Sequence, residues 1–414
     1  MSPKGLLSQF ADVWLVDGVR TPFADYNGTL GLVSPIDMGI KVARAVLERS
    51  GTAPEDVGIV VAGNMAQASF DAYMLPRHVG LYAGVPIEVP AHMVQRVCGT
   101  GIEVIIQAAD AIAAGKVELG LCVGAESMSR NPVAAYTHRG GFRMGQVEFK
   151  DFLWEALLDP AANVTMGGTA ENLARRHGIT REETDRFAAA SFARAVAAQA
   201  AGFLAGEIVP VTSETFSRDG LHDRGIKLPR GVDSFAADDH VRPSSYETLA
   251  KIRPAFGGVQ TGGNSSAVVD GAAAALVAGG DYVRRRGLKP LGRVVAGMAV
   301  GVPPEIMGIG PAPAIEGLLA ARGLKIGDID RVEINEAFGA QAIACMRALG
   351  LDHDRLNVNG GAIAIGHPLG ATGIRLSVTV ARELKRSGGR WGIASACIGG
   401  GQGIALLIEN EEGN

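Results

Sequence analysis

Apolar and polar positions along this chain switch repeatedly between a strand-like run and a helix-like period. Val13–Val16 is a short apolar run ending at Asp17-Gly18, and Arg20-Thr21-Pro22 after it is a loop signal, which predicts a strand. Residues 37–50 carry apolar positions at helical spacing and stop at Gly51, the residue type that closes helices in a left-handed conformation. Val57–Ala62 is a continuous apolar strand bounded by Gly63-Asn64. Val104, Ile105, Ala108, Ala109 and Ile112 then mark a buried helix, and Leu119–Val123 a further strand ending in Gly124-Ala125-Glu126. This alternation predicts a parallel sheet covered by helices on both faces. A strong helix is expected over Arg181–Ala200, because Thr180 and Glu183 make a capping-box pattern. A shorter helix is expected over Ala170–His177, and the alanine-rich stretch Asp270–Ala278 reads as another.

The order of the first hundred residues returns near the C-terminus. Gly51 and Gly323, Asp56 and Asp328, and Thr100-Gly101-Ile102 and Thr372-Gly373-Ile374 are each separated by 272 positions. After a small insertion, Cys122-Val123-Gly124 falls on Cys397-Ile398-Gly399. A shared offset at several punctuating positions is the mark of an internal duplication. The expected organisation is an N-terminal half (1–129 with 267–290), an insertion (130–266) and a C-terminal half (291–414). Gly, Asp, Arg and Ser cluster at 213–245, so the insertion reads as a loop-rich lid over a ligand site.

Composition removes several alternatives. A length of 414 residues is enough for two or three domains. Net charge is −4 with 20% charged residues, which suggests neither a nucleic-acid surface nor a polybasic membrane patch. No run of about 18 apolar residues is present, so no membrane span is expected. The start, Met1–Phe10, is too short and broken for a secretory signal, and the cytoplasm is the simpler expectation. The four cysteines at 98, 122, 345 and 397 are widely spaced, fitting a reducing compartment and no disulfide framework. No metal-ligand spacing occurs, so no metal is expected.

Candidate chemistry sits at three glycine-flanked places. Cys98 precedes Gly-Thr-Gly at a helix start, where the helix dipole and free N–H groups favour a thiolate. Read alone, such a cysteine is far more often a small buried residue allowing tight packing. His367 lies in Asn359–Gly373, a glycine-rich path just before a helix, and Cys397 ends a strand beside Gly399-Gly400-Gly401. In doubly wound sheets such ends line the ligand crevice. Facing halves would bring Cys98, His367 and Cys397 into one pocket as nucleophile, base and second acid/base, with backbone donors for an oxyanion. Cys122, the counterpart of Cys397, is expected to be without a catalytic role.

With these motifs in view the sequence resembles the thiolases over essentially its whole length. Cys98-Gly-Thr, Asn335-Glu-Ala-Phe, Gly366-His-Pro and Cys397-Ile-Gly appear in the family's order, supported by Met166-Gly-Gly-Thr-Ala-Glu-Asn, Lys251-Ile-Arg-Pro-Ala-Phe, Gly263-Asn-Ser-Ser and Val302–Pro311. The resemblance implies an α/β fold with a five-layered αβαβα core from two duplicated halves. It implies a ping-pong exchange on acyl-CoA and acetyl-CoA: acylation of Cys98 with His367 as base, and proton transfer at the acetyl-CoA α-carbon by Cys397. It further implies one oxyanion hole from His367 and a water on Asn335, and a second from the N–H groups of Cys98 and Gly399. Coenzyme A contacts are expected from Ser266, Arg242, Thr248, Met166, Met307 and Phe338, with no resident cofactor and a homodimer or homotetramer as the working form. Departures from the family pattern fall at Thr100, Thr165, Asp71–Arg77 and the short Phe256–Thr261 turn, and bear on pocket shape. A decarboxylating condensing enzyme of the same fold would use His-His or His-Asn pairs instead of Cys397. A silent acyl-CoA-binding protein would have no reason to keep all three reactive groups.

Overall fold

The computed structural model describes residues 4–67, 69–136 and 138–413. Residues 1–3 of the leading stretch and Asn414 at the end of the C-terminal half lie outside the described residues.

The main strands are β1 (Gly5–Gln9), β2 (Val13–Arg20), β3 (Ile59–Gly63), β4 (Ala91–Val94), β5 (Leu119–Glu126), β6 (Val269–Gly279), β7 (Gly292–Gly301), β8 (Arg331–Ile334), β9 (Trp391–Ile398) and β10 (Gln402–Glu409). The helices used below are α1 (Pro35–Ser50), α2 (Thr100–Ala113), α3 (Met166–His177), α4 (Arg181–Ala200), α5 (Pro311–Arg322), α6 (Gly339–Leu349) and α7 (Leu369–Ser387). In the N-terminal half the strands run in the order β4-β3-β5-β6-β2, and in the C-terminal half β8-β9-β10-β7 repeats that path. The strand that would complete the second set is reduced to a parallel bridge between Val332 and Leu356. Two residue pairs, Gly292 with Leu15 and Arg293 with Trp14, join the two sheets edge to edge. The duplication read from glycine spacing is therefore a duplication of strand order.

Five layers follow. Helix α1 packs outside the first sheet and α5 outside the second, while α2 and α7 fill the space between the sheets. Central helices must be apolar on nearly every side. Accordingly α2 buries Ile102, Val104, Ile105 and Ile106, and α7 buries residues around its whole circumference, among them Ile374, Leu376, Val378 and Val380. The two meet at paired glycines. A methyl on Gly101 would stand 2.6 Å from the Ile374 nitrogen, and one on Gly373 would stand 2.2 Å from the Ile102 nitrogen. These are the glycines that share the 272-residue offset.

Several expectations are corrected. The sheets are mixed: β3 runs parallel to β4 and β5, but β6 is antiparallel to both β5 and β2, and β10 to β9 and β7. Asp270–Ala278 is not a helix but the body of β6, the second strand from the joined edge. Its alanines are wholly buried because helices press on both faces of this strand. Small side chains there serve close packing, and tertiary context overrides helix propensity. Helix α4 keeps its expected bounds, with the Thr180–Glu183 capping box formed, and Gly51 closes α1 at φ 66°.

Candidate active site

The nucleophile candidate sits on a strained turn. Strand β4 leads through Gln95 and Arg96 to Val97, whose φ of 42° is a conformation β-branched residues rarely adopt. The turn is tied from three sides. Gly99 N–H donates to the Arg96 carbonyl at 2.9 Å, the Arg96 N–H to Thr100 Oγ1 at 2.9 Å, and the Thr100 hydroxyl to the Val97 carbonyl at 2.6 Å. Arg96 itself is fixed by Glu103 at 2.8 Å and by Gln402 at 3.1 Å. Gly99 has no room for a side chain, since a methyl there would meet Ile398 at 2.6 Å. Cys98 is thereby pressed against the β9–β10 hairpin, and the backbone N–H groups of Gly399 and of Cys98 itself point at its sulfur.

Burial pushes the Cys98 thiol up to about 11, and the nearby Glu126 carboxylate adds to the rise, against the pull of those two N–H groups. This corrects the expectation of a dipole-favoured thiolate: two backbone donors do not offset the removal of the sulfur from water.

His367 is held at both nitrogens. Thr372 Oγ1 lies 2.6 Å from Nδ1 and gives its own proton to the Pro368 carbonyl at 3.0 Å. A hydroxyl that donates elsewhere accepts from the ring, so Nδ1 carries the hydrogen and Nε2 keeps its lone pair. The Asn335 amide, 3.2 Å from Nε2, is the donor to that lone pair. Burial pushes the imidazole down to about 3, with the charge of Arg375 one helix face away acting in the same direction. The resting ring is neutral, with its basic nitrogen turned to the site.

Asn335 extends from the end of β8, its N–H bonded to the Ser395 carbonyl at 2.9 Å. Its Oδ1 is buried and has no hydrogen-bond partner, a position suited to a water or a ligand group. The neighbouring Glu336 accepts from Ser191 of α4 at 2.7 Å, Asn357 at 2.8 Å and the Ile363 N–H at 3.2 Å. It thus anchors the motif to the insertion and to the glycine path before His367.

Cys397 is fully buried at the end of β9 and packs with Met307 and Ala337, against Met166 and Phe338. Its thiol is raised well above the usual range by burial, and further by the Cys98 and Cys345 thiols. Cys98 packs with Met65, Met128 and Leu369. Between these clusters opens a cavity of about 200 Å3 whose wall includes Met128, Met166, Phe338, His367 and Leu369. The same side chains that cover the two thiols therefore line the cavity, with His367 exposed to it. Most of the remaining wall comes from the insertion: Trp154, Leu157, Thr165, Gly167, Ala255, Phe256, Ser265 and Ser266. Phe256 meets Phe338 edge to face at 6.3 Å.

Of the expected coenzyme A contacts, Ser266, Met166 and Phe338 line this cavity, and Met307 lies behind it against Cys397. Arg242 and Thr248 do not line it. Both are exposed, Arg242 beside His240 at 3.4 Å and Thr248 in the Ser245 turn. Cys122 is buried on β5 against α2, its thiol 3.7 Å from the Val104 carbonyl. Sequence reasoning missed Thr372, Glu336 and the Val97 strain. Thr372 was open to discovery, because the duplication pairs it with Thr100.

Comparison with known proteins follows this geometry. Family profiles described as "Thiolase, N-terminal domain" and "Thiolase, C-terminal domain" match residues 13–281 and 288–410. The mitochondrial 3-ketoacyl-CoA thiolase of Bos taurus is 43% identical over 402 residues, covering 96% of this chain and 98% of the relative. The crystal structure of human mitochondrial 3-ketoacyl-CoA thiolase superposes with a TM-score of 0.92 at 41% identity, over 98% of this chain and 100% of that one. The same human enzyme in complex with CoA gives a TM-score of 0.91 at 40% identity, over 99% and 100% of the two chains.

Proposed function

The chain belongs to the thiolase family, and on that premise we propose that it moves acyl groups between coenzyme A thioesters with Cys98 as the covalent nucleophile. The observation that carries this reading is the convergence at one cavity of a neutral imidazole, its Nε2 lone pair met by the Asn335 amide, and two thiols buried behind the lining side chains, one from each half. In cleavage of a 3-oxoacyl-CoA, the Cys98 proton passes to His367 Nε2 as sulfur bonds to the 3-carbonyl carbon. The oxyanion then collapses, the bond between C2 and C3 breaks, and Cys397 protonates the departing acetyl-CoA enolate. Coenzyme A, giving its thiol proton to the Cys397 thiolate, attacks the acyl-Cys98 thioester. The C–S bond to Cys98 breaks, Cys98 takes back the proton held on His367, and the shortened acyl-CoA is released. Condensation is the same path reversed, with Cys397 taking the α-proton of acetyl-CoA.

With the thiol near 11 and the imidazole near 3, a standing thiolate–imidazolium pair is disfavoured, so proton transfer accompanies attack. Charge developing on the substrate needs fixed donors, each typically worth ~3 kcal/mol. Asn335, acting through its unpartnered Oδ1 and a water, serves the enolate together with His367. The N–H groups of Cys98 and Gly399 serve the acyl-transfer oxyanion.

Met166, Phe338 and Ser266 bound the pantetheine and acyl path, with Met307 backing Cys397. Arg242 and Thr248 belong to this reading only as surface contacts for the nucleotide end of coenzyme A. Coenzyme A and acyl-CoA are substrates, and no resident cofactor enters the scheme. The division into two halves and an insertion is part of this reading, the halves supplying the reacting groups and the insertion most of the wall. A homo-oligomer is the proposed working form, supported by exposed Phe70, Tyr73 and Met74 and by β4 as a sheet edge. No helix among the described residues is long and apolar enough to cross a membrane. Mammalian relatives are named mitochondrial, which lends no support to a cytoplasmic assignment.

The test is thiolysis of 3-oxoacyl-CoA substrates from four carbons upward by wild type, Cys98→Ser and Cys397→Ser, with a labelled acyl group traced to its peptide. Label on Cys98 and loss of turnover in both variants is expected. Full activity in Cys397→Ser would overturn the two-thiol scheme.

A further inference from the structure

Glu126 is the last residue of β5 and has no part in the scheme above. Its carboxylate is buried and accepts four hydrogen bonds: from Met65 N–H at 2.8 Å, Ala66 N–H at 3.3 Å, Asn64 Nδ2 at 3.1 Å and Gly370 N–H at 3.0 Å. Three of these donors form the turn after β3. The fourth lies in the first turn of α7, three residues beyond His367. None of the four carries a charge. The groups that bear electrostatically on this corner are Asp270 on the neighbouring strand β6 and the Cys98 thiol, which Cys397 faces from the other side.

The seating is tight as well as polar. A methyl on Gly370 would stand 2.9 Å from the Gly63 carbonyl oxygen and 3.2 Å from Glu126 Oε2, and one on Gly124 would stand 2.2 Å from the Gly370 carbonyl oxygen. The start of α7 thus rests directly on the ends of β3 and β5, and among the described residues the Glu126 carboxylate is the side chain that holds the Gly370 N–H. Holding four neutral donors does not by itself require a charge at this depth. Burial pushes the Glu126 carboxyl up to about 7, against the Met65, Ala66 and Gly370 N–H groups, so its charge changes near neutral pH.

We propose that Glu126 is a positioning residue of the thiolase reaction, seating the start of the His367 helix on the turn at 64–66 and setting a negative charge that further disfavours the Cys98 thiolate. This rests on Cys98 being the nucleophile.

The test uses full-length wild type, Glu126→Gln and Glu126→Asp. Iodoacetamide alkylation of Cys98, read by peptide mass spectrometry, is followed from about pH 8 to 12 to bracket the raised thiol, beside kcat and KM for acetoacetyl-CoA thiolysis near neutral pH. Removing the charge in Glu126→Gln lowers the alkylation midpoint by about 0.5–1 pH unit, roughly a threefold to tenfold faster reaction below the midpoint. In the same variant kcat falls by about tenfold while KM for coenzyme A stays within about twofold. Glu126→Asp keeps the charge and therefore the midpoint, but its shorter arm cannot reach both the turn and the helix, so kcat still falls. If Glu126→Gln does not fold, the Asp variant decides: a midpoint that moves, or a kcat that does not, overturns the proposal. So does a Glu126→Gln profile superimposable on wild type with kcat within twofold. Alkylation is read without turnover, so loss of the nucleophile reading, seen as activity in Cys98→Ser, is a separate outcome.

Discussion

The start of α2 and the start of α7 occupy the same place in the two halves and share a threonine and a glycine, yet they present different reacting groups. Cys98 corresponds to Gly370, Thr100 to Thr372 and Gly101 to Gly373, all at the 272-residue offset. Both threonines turn the hydroxyl back to a carbonyl of the preceding turn, Val97 in one half and Pro368 in the other. Each also accepts one hydrogen bond: Thr100 from the Arg96 backbone, Thr372 from the His367 ring. One device therefore braces a strained turn beneath a thiol and, in its copy, fixes the tautomer of an imidazole. The strand ends facing the two starts differ in the same way. Gly399 presents an N–H to Cys98, whereas Glu126 presents a carboxylate to Gly370. Duplication supplied two equivalent corners, and the chemistry depends on their having diverged.

The comparison is broken most severely where a reacting corner loses a donor. Asn335, whose counterpart by offset is Gly63, has its amide on His367 Nε2. Asn335→Ala is expected to lower kcat by about 100-fold to 1000-fold with a small change in KM, as measured by thiolysis kinetics. Equal loss in KM instead would assign Asn335 to uniform binding.

Next in size is the crossing of the two helices. Gly373→Ala places a methyl 2.2 Å from a backbone nitrogen, which forces the halves apart. A loss at or above the upper end of ~1–3 kcal/mol is expected in urea unfolding. An unchanged midpoint would mean that the helices can separate freely.

The smallest and most informative test compares the two hydroxyls. Thr372→Val leaves His367 Nδ1 without its acceptor and should cost kcat about tenfold, with little change in unfolding free energy beyond the lost hydrogen bond. Thr100→Val should cost stability by ~1 kcal/mol and alter kcat less. If both variants behaved alike, the matched threonines would have matched roles, and the contrast between the corners would fail.

Much of this was legible in the sequence where local chemistry is decisive. The α4 bounds follow from a capping box, α1 ends at a glycine with φ of 66°, and the shared offset anticipated the repeated strand order. Cys98, His367 and Cys397 were each marked by glycines at strand or helix ends. What escaped depends on neighbours far along the chain. The alanines of 270–278 form a strand because both faces are covered, a condition that local propensity cannot contain. The parallel-sheet expectation failed because β6 and β10 each run antiparallel to both of their neighbours. The Cys98 thiol rises because burial outweighs two N–H donors, a balance set by residues such as Met65, Met128 and Glu126. Arg242 and Thr248 rested on resemblance alone, and the exposed segment that carries them does not reach the cavity wall.

The meeting of Gly101 and Gly373 has a consequence for how such a protein can be altered. Backbone against backbone, with no side chains between, behaves as a weld and not as a joint. The spacing of the two helices at their crossing is set by the peptide chain itself, and side chains such as Glu126 adjust only the helix start beside the imidazole. Room for different acyl groups must then come from the detachable part, the insertion that supplies Trp154, Leu157 and Phe256. Walls exchanged between relatives as a block would change what is admitted while leaving the reacting groups in register.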